Sequence, residues 1–270
     1  MSQEFTALPL TAQALTNLPE GWLQPAWEVP HGVLSLVTTR RGGFSAAPYA
    51  SLNMGLHVGD RAEDVLRNRA RLLQSLPVGL QLQWLEQVHG TELIDARGDG
   101  ICRQGDAVYV DQPGLGGVVM TADCLPVFFA SEDGKRVALA HAGWRGLLDG
   151  ILEKTLARFP DAPAQVQVWF GPAIGPCHFE VGAEVRAAFL QAAASPSLAA
   201  QIDREAFRAA PSPGKFFANI YRLATLRLHG AGLQRIRGGD LCTVCDSARF
   251  YSYRRDGVSG RFASVIALHP

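Results

Sequence analysis

Short apolar runs separated by turn-forming residues fill the middle of the chain, and they predict β-strands. The runs are rich in Val and Phe, and Gly, Pro, Asn and Asp lie between them, which is typical of strands joined by turns. Several runs are apolar at every position instead of alternating, which indicates sheets covered on both faces. The predicted strands are residues 33–38, 82–88, 107–110, 118–120, 126–130, 137–140, 166–170 and 262–268.

Helices are fewer, and they are indicated by apolar positions at helical spacing together with residues that start or stop a helix. Asp60 followed by Glu63 is an acidic variant of the capping box, and the apolar residues after it share one face. A helix is therefore predicted to start there and to end before Pro77. Further predicted helices are residues 147–158, 183–194 and 220–228. Residues 195–214 contain three prolines and many small residues, and they are predicted to be a mobile excursion.

Length and composition are those of a globular protein with a large core. Of the 270 residues 47% are hydrophobic, and neither repeats nor low-complexity tracts interrupt the chain. A chain of this size buries about 70 to 75% of the surface that its unfolded form exposes, which argues against intrinsic disorder. Because the composition stays even from end to end, one domain is predicted over residues 1–270.

Charge gives no sign of a polyanionic or membrane partner. The chain has 25 Lys and Arg against 25 Asp and Glu, so its formal net charge is zero, and neither nucleic acid nor a membrane surface is an expected partner. Residues 1–20 contain two glutamates and no basic residue, unlike a secretory signal, and no apolar run approaches the ~20 residues of a spanning helix. We therefore expect a cytoplasmic protein without a membrane segment, whose five cysteines are thiols, metal ligands or core residues.

Three potential metal ligands stand at the ends of apolar runs beside small residues: His89, Cys124 and His141. Two imidazoles and one thiolate suit zinc, and three protein ligands leave a fourth position for water, whose pKa the metal would lower. Their spacing matches no compact zinc motif. A metal-free pair of Cys124 as nucleophile and His141 as base, as in a thiol hydrolase or amidase, needs the same residue types and stays open.

Two other cysteine-containing segments are not interpreted as metal sites. Cys242 and Cys245 form the one C-x-x-C pair, and neither a second pair nor a neighbouring histidine completes four ligands, so they are interpreted as structural or incidental thiols. Cys177 and His178 follow a Gly- and Pro-rich segment, and adjacent side chains on an extended backbone point apart. That segment is predicted to line a cleft as a tight turn.

Arginines beside glycines offer a site for an anion. Arg40 follows an apolar run, and Arg254 and Arg261 lie in a second glycine-containing segment near the end of the chain. Guanidinium groups there suit a phosphate or carboxylate, and solvated turns with salt bridges are the alternative. The sequence contains neither a P-loop nor a G-x-G-x-x-G motif, which disfavours a nucleoside triphosphate or dinucleotide enzyme.

Taken together, these segments resemble the YfiH-type family, whose members carry the names laccase-domain or polyphenol oxidase protein and are now regarded as zinc-dependent purine nucleoside phosphorylases. The resemblance covers roughly residues 30–268, and Cys245 is a departure from the family pattern. The motifs that carry the resemblance are residues 38–45, 51–55, 58–60, 87–90, 121–126, 141–146, 171–177, 250–257 and 260–261.

The resemblance implies a fold of the α+β class, a single domain with mixed β-sheets in a sandwich-like core flanked by helices. It implies Zn²⁺ held by His89, Cys124 and His141. The implied activities are phosphorolysis of adenosine, inosine, guanosine and methylthioadenosine to the base and ribose 1-phosphate, together with adenosine deamination. The implied partners are purine nucleosides and inorganic phosphate.

Roles for further residues are hypotheses built on that resemblance. Arg40, Arg254 and Arg261 are candidates for holding phosphate, and Asn53 is a further candidate substrate-binding residue. Asp123 is interpreted as a catalytic residue that orients a ligand or acts as an acid or base, with a structural role as the alternative.

Two other interpretations stay open. A copper-dependent polyphenol oxidase is less favoured than a zinc enzyme, because none of the seven histidines stands two positions from another, as the paired H-x-H motifs of multicopper oxidases require. A module that binds a purine without turning it over is the alternative outside the enzymes.

Overall fold

Two β-sheets stacked face to face form the centre of the molecule in the computed structural model, which describes residues 18–270. The strands are β1 Val33–Val37, β2 Gln81–Gln83, β3 Leu85–Glu86, β4 Leu93–Asp95, β5 Arg103–Gln104, β6 Ala107–Val110, β7 Leu115–Thr121, β8 Leu125–Ser131, β9 Val137–Ala142, β10 Val166–Phe170, β11 Glu180–Gly182, β12 Phe207–Ala209, β13 Lys215–Ala218, β14 Arg235–Gly238 and β15 Phe262–Leu268. The helices are α1 Ala62–Gln74, α2 Trp144–Leu148, α3 Ile151–Ala157, α4 Ala183–Gln191, α5 Pro196–Ala206, α6 Ile220–Gly230 and α7 Tyr253–Asp256.

Both large sheets mix parallel and antiparallel strands. The four-stranded sheet has the order β1-β15-β7-β2, and only its β2–β7 pair is parallel. The six-stranded sheet has the order β14-β10-β8-β9-β6-β4, with parallel pairs at its two edges. Smaller sheets are formed by β11-β13-β12 and by β3-β5. Continuous antiparallel pairing at the centre fixes the register of β8 and β9, which carry part of the candidate site.

The core is divided into layers by the two large sheets. Between them lies a cluster built around Phe128, whose ring packs edge-on against Trp27 and Trp169. Val127 and Phe129, the chain neighbours of Phe128, point to the other face of β8, into the cluster that includes residues of α3 and α6. Leu72 of α1, together with Leu76 and Leu80 after the helix, packs on the outer face of the four-stranded sheet. The predicted sandwich of mixed sheets flanked by helices is therefore confirmed, as is the prediction from apolar runs of strands buried on both faces.

Most predicted elements are found, but two of them are each divided into two. The predicted strand 82–88 is divided into β2 and β3, and the predicted helix 147–158 is divided into α2 and α3, because Gly150 between them has a positive φ of 94°. The capping box at Asp60 is wrong: α1 begins after Arg61, which makes no side-chain cap, and the Asp60 carboxylate instead accepts a hydrogen bond from the Asn53 amide.

The mobile excursion predicted for residues 195–214 is also wrong, because this segment contains α5 and β12. Ser195 caps the helix by accepting a hydrogen bond from the Leu198 backbone N–H, and Pro196 occupies the first turn, where its missing N–H costs nothing. The prolines that suggested a loop therefore include one that starts a helix.

Two expectations extend beyond the described residues. The domain span of 1–270 and the signal-peptide argument on residues 1–20 both include residues 1–17, which lie outside the described part of the chain. Within residues 18–270, no helix has the length and apolarity that crossing a bilayer would require.

Candidate active site

Three side chains distant in sequence meet at one end of the six-stranded sheet. Cys124 directly precedes β8 and His141 lies in β9, and the pairing of these strands places Leu125 opposite Ala142 and Pro126 opposite His141. His89 reaches them from the loop after β3, where its backbone has a positive φ of 61°. Its Nε2 lies 3.8 Å from the Cys124 Sγ, and one donor atom from each of the three residues lies within 4.8 Å of the others.

Glycines after His141 allow this close approach. A Cβ on Gly143 would lie 3.0 Å from Cδ2 of His89 and 3.2 Å from Sγ of Cys124, and one on Gly146 would lie 2.7 Å from the Gly90 carbonyl oxygen. The segment His141-Ala-Gly-Trp-Arg-Gly therefore packs against the His89 loop only because these two positions have no side chain.

Asp106 holds two of the three candidate metal-binding residues in place. Its fully buried carboxylate lies 2.8 Å from Nδ1 of His141 and accepts the backbone N–H groups of Val88, His89 and Gly90. Because the carboxylate accepts the Nδ1 proton of His141, Nε2 is the ring nitrogen that can give up its proton and bind a metal. Asp106 was not predicted from the sequence, although its place directly before an apolar strand is the same signal that singled out Cys124.

The charges of these groups depend on one another. Burial raises the pKa of the Cys124 thiol, but the charge and hydrogen bond of His141, together with His89, outweigh it and lower the pKa to about 6. Burial lowers the pKa of His141, but the Cys124 thiolate and the Asp106 carboxylate outweigh it, so the net direction is upward. For Asp106, burial raises the pKa, and the hydrogen bonds from His141 and the loop N–H groups reverse this. The site therefore favours the thiolate, which is the form that binds metals.

The donor set fits a zinc ion with three protein ligands. With Zn–S of 2.3 Å and Zn–N of about 2.05 Å, a tetrahedral site separates sulfur and nitrogen by about 3.6 Å, close to the 3.8 Å between Cys124 and His89. A Cys and two His also occur around type I copper, with a weak axial Met. Met120 lies nearby, but its sulfur is 3.6 Å from Nη2 of Arg69.

A cavity of about 580 Å³ opens beside the three ligands. Its aromatic walls are formed by Trp144, Phe179 and Tyr253. Its cationic side chains are Arg145, Arg254 and Arg261. Flat apolar walls beside several guanidinium groups suit a ligand with an aromatic part and an anionic part.

The structure separates the predicted substrate residues into two groups. Arg254 and Arg261 line the cavity, whereas Arg40 and Asn53 are not among its lining residues. The Arg40 guanidinium binds the carbonyl oxygens of Ala50 and Ser247, and the buried Asn53 amide bonds to Gly55 and Asp60. Both side chains thus act within loops beside the site, and a direct contact of either with substrate stays a prediction without geometric support.

Asp123 lines the cavity, but its carboxylate already has protein partners. Oδ1 accepts a hydrogen bond from the Thr243 hydroxyl at 2.5 Å, and Oδ2 accepts the Arg254 backbone N–H at 2.7 Å. This geometry gives Asp123 a part in positioning Arg254. Arg145 is the cavity cation that the sequence analysis did not single out, although it lies in the same short motif as His141.

The chain is similar to known proteins over most of its length. Residues 34–269 match a family model described as multi-copper polyphenol oxidoreductase laccase. A purine nucleoside phosphorylase of Pseudomonas aeruginosa is 47% identical over 92% of this chain and 98% of its own length. The purine nucleoside phosphorylase YfiH of Escherichia coli is 46% identical over 90% of this chain and 97% of its own length.

Solved structures support the same relationship. The crystal structure of a Neisseria meningitidis protein superimposes on this structure with a TM-score of 0.86 at 42% sequence identity. The superposition covers 93% of this chain and 100% of the Neisseria protein. The crystal structure of YlmD from Geobacillus stearothermophilus gives a TM-score of 0.80 at 33% identity, with coverages of 93% and 100%. The resemblance to YfiH-type proteins and the fold class predicted from it are confirmed.

Proposed function

This chain belongs to the multi-copper polyphenol oxidoreductase laccase family, in which curated relatives are named purine nucleoside phosphorylases, and from this we propose that it is a zinc-dependent purine nucleoside phosphorylase. The observation that carries the proposal is the meeting of His89, Cys124 and His141 beside a cavity with aromatic walls and three arginines. The proposed substrates are adenosine, inosine, guanosine and methylthioadenosine, with phosphate as the second substrate.

Phosphorolysis places two demands on the protein. A phosphate oxygen forms a bond to C1′ of the ribose while the bond from C1′ to the purine nitrogen breaks, and the purine leaves with the electron pair. The protein must therefore hold an anion beside the ribose and stabilise negative charge that develops on the base. Zinc, when bound, acts as a Lewis acid that stabilises negative charge and activates water.

Arg254 and Arg261 are suited to holding the phosphate because protein contacts fix both side chains. Nη1 of Arg254 donates to the carbonyl oxygens of His178 and Glu180, and Nη1 of Arg261 donates to those of Ser259 and Gly260. Within residues 18–270, the side-chain hydrogen bonds of both use Nη1 alone, so Nη2 and Nε can serve an anion. Such preorganised guanidinium groups bind phosphate without a further cost in ordering.

The aromatic walls supply the complementary part of the site. Trp144, Phe179 and Tyr253 offer flat faces against which a purine can stack. We assign adenosine deamination to the same cavity: water adds at C6 of the purine and ammonia leaves. Asp123 is the proposed acid or base of this step, in addition to its part in positioning Arg254.

One observation favours a second candidate, a metal-free thiol hydrolase. The side chain of Cys124 contacts His141, and His141 contacts Asp106. This is the arrangement of a nucleophile, a base and an acid that orients the base. That mechanism, however, needs only one imidazole beside the thiol, whereas the protein holds a second one, that of His89, 3.8 Å from the thiol through a left-handed backbone position.

The deciding experiment incubates zinc-loaded protein with adenosine, with and without inorganic phosphate, and separates the products by chromatography. Adenine and ribose 1-phosphate are expected only with phosphate, and inosine and ammonia report deamination. Binding of adenosine without formation of any product would indicate that the protein is a purine-binding module and not an enzyme. Activity that survives metal removal and disappears on alkylation of Cys124 would establish the hydrolase, and oxidation of phenols by copper-loaded protein would establish the oxidase.

A further inference from the structure

A second cluster of metal-binding side chains lies outside the residues that line the cavity. It consists of Cys177, His178, Cys242 and Cys245, and their donor atoms all lie within 4.8 Å of one another. The prediction that the Cys242–Cys245 pair has no completing ligands is therefore wrong. The prediction that adjacent Cys177 and His178 point apart is also wrong, because they lie in a turn: the N–H groups of His178 and Phe179 both donate to the Gly175 carbonyl.

The separations within this cluster are those of a tetrahedral site. With Zn–S of 2.3 Å and Zn–N of about 2.05 Å, sulfurs should lie about 3.8 Å apart and a sulfur and nitrogen about 3.6 Å apart. Sγ of Cys177 lies 3.8 Å from that of Cys242 and 3.4 Å from that of Cys245. Nδ1 of His178 lies 3.1, 3.9 and 3.4 Å from the sulfurs of Cys177, Cys242 and Cys245.

The backbone around the cluster is arranged to stabilise thiolates. The Gly175 N–H donates a hydrogen bond to Sγ of Cys242 at 3.2 Å. Hydrogen bonds to the charged form of a thiol favour that form. A Cβ on Gly175 would lie 3.0 Å from Cβ and 3.1 Å from Sγ of Cys242, so the two segments approach each other through a position without a side chain.

We propose that Cys177, His178, Cys242 and Cys245 bind a second zinc ion, independent of the ion in the cavity. Four protein ligands of the Cys₃His type leave no open coordination position, which is the property of a structural zinc site and not of a catalytic one. None of these four residues belongs to the His89, Cys124 and His141 set or lines the cavity, so zinc binding at either site can fail without the other.

The position of the cluster indicates what this zinc would stabilise. It would join the turn at Gly175–His178 to the loop after β14, which contact each other through the bridge between Ala173 and Cys242. The first segment continues to Phe179 in the cavity wall, and Arg254 is bonded to the carbonyl oxygens of His178 and Glu180. The second zinc would therefore hold the wall that carries Phe179 and Arg254.

Metal counting provides the first test. Protein purified under reducing conditions and loaded with zinc is expected to hold two zinc ions per chain by elemental analysis. Cys245→Ser is expected to hold one, and His89→Ala, which alters the cavity site, is also expected to hold one. Cys102→Ser, at an exposed cysteine outside both clusters, is the control and should keep two. One zinc per chain in the unaltered protein, with no loss in Cys245→Ser, would overturn the proposal.

A second test needs no variant and is therefore independent of how well Cys245→Ser folds. Folded zinc-loaded protein is treated with a thiol alkylating reagent before and after chelation, and the labelled cysteines are identified by mass spectrometry. Cys177, Cys242 and Cys245 are expected to be protected until zinc is removed, whereas exposed Cys102 should react in both cases. Equal labelling of all four before chelation, or recovery of Cys177 and Cys245 as a disulfide, would refute the second site.

Discussion

Asp106 places its carboxylate 2.8 Å from Nδ1 of His141, and through this contact one buried acid connects two of the three ligands beside the cavity. The same carboxylate accepts three consecutive backbone N–H groups from the loop that carries His89. It thereby fixes the ring of one ligand and the backbone of another. Residues that hydrogen-bond to metal ligands commonly influence the affinity for the metal, because they hold the ligands in place before the metal binds.

Replacing Asp106 with Asn should weaken zinc binding in the cavity site. The carboxylate serves four donors with its two oxygens, whereas an amide offers one oxygen and turns an NH₂ group towards the remaining donors. We expect zinc affinity to fall roughly 10- to 100-fold, measured by competition with a chelator. Asp111→Asn, at the exposed far end of β6, is the matched control. Equal affinity in the two variants would show that Asp106 has no such role.

A methyl group at Gly143 should disturb the same site without disturbing the backbone. The added Cβ would lie 3.0 Å from His89 and 3.2 Å from the sulfur of Cys124, so both ligands must shift by a few tenths of an ångström. We expect Gly143→Ala to lower both zinc affinity and kcat, with a small change in unfolding free energy. Gly230→Ala, where nothing lies within 4 Å of the new Cβ, is the control. Unchanged zinc binding in Gly143→Ala would contradict the geometry.

The central strands could be predicted because burial on both faces makes them predominantly apolar. Residues 107–110, 166–170 and 262–268 were predicted with the observed bounds. The edge strand Arg235–Gly238 was missed, since it carries two arginines and a glycine and is defined by its parallel pairing with β10. Hydrophobic patterning finds strands that lie in the core, and it fails for strands whose stability depends mainly on pairing.

The residues of the site also differ in whether the sequence predicts them. His89, Cys124 and His141 were identified because each stands at the end of an apolar run. Their donor types suggested zinc, and the resemblance implied the same three residues. Asp106 acts through backbone donors 16 to 18 residues away, which no spacing rule reports. Cys177 was rejected because its neighbour was assumed to lie on extended backbone, whereas a turn brings it to Cys245, 68 residues later. Contacts made by loops depend on tertiary packing and so were hidden from the sequence.

Removal of zinc should abolish phosphorolysis. His89, Cys124 and His141 together provide a donor set for the metal, and we expect chelated protein to lose phosphate-dependent release of adenine. Activity should return when zinc is added back, and copper should not restore it. The measurement is adenine release during a zinc titration of chelated protein. Full activity in protein shown by elemental analysis to hold no metal would rule out a metal-dependent mechanism.

The arginines that line the cavity should determine the KM for phosphate. Arg254→Gln and Arg261→Gln each remove a guanidinium group whose Nη1 is fixed by carbonyl oxygens, and an increase of tenfold or more in this KM is expected, corresponding to about 1.4 kcal/mol. Arg40→Gln tests the remaining sequence-based candidate, which contacts Ala50 and Ser247 and should change the phosphate KM little. If Arg40→Gln alone raised this KM, phosphate would have to bind outside the cavity.

Tyr221 should stabilise the loop between the two proposed zinc sites through its hydroxyl group. That hydroxyl accepts the Ala173 backbone N–H at 2.8 Å and lies 2.6 Å from the Leu241 carbonyl oxygen, so it joins the segments that carry Cys177 and Cys242. Tyr221→Phe leaves these buried groups without that partner, which should lower the unfolding free energy by about 1 to 3 kcal/mol in urea denaturation.

The matched control for this prediction is Tyr253→Phe, because Tyr253 is 60% exposed and its hydroxyl can bond to water in both the folded and unfolded protein. Its effect should stay within about 0.5 kcal/mol. Since the Tyr221 hydroxyl joins the two segments, Tyr221→Phe should also speed the chelator-dependent alkylation of Cys177. Equal stabilities for the two variants, with equal alkylation rates, would mean that the loop is held without this hydroxyl, by the bridge between Ala173 and Cys242 and by zinc.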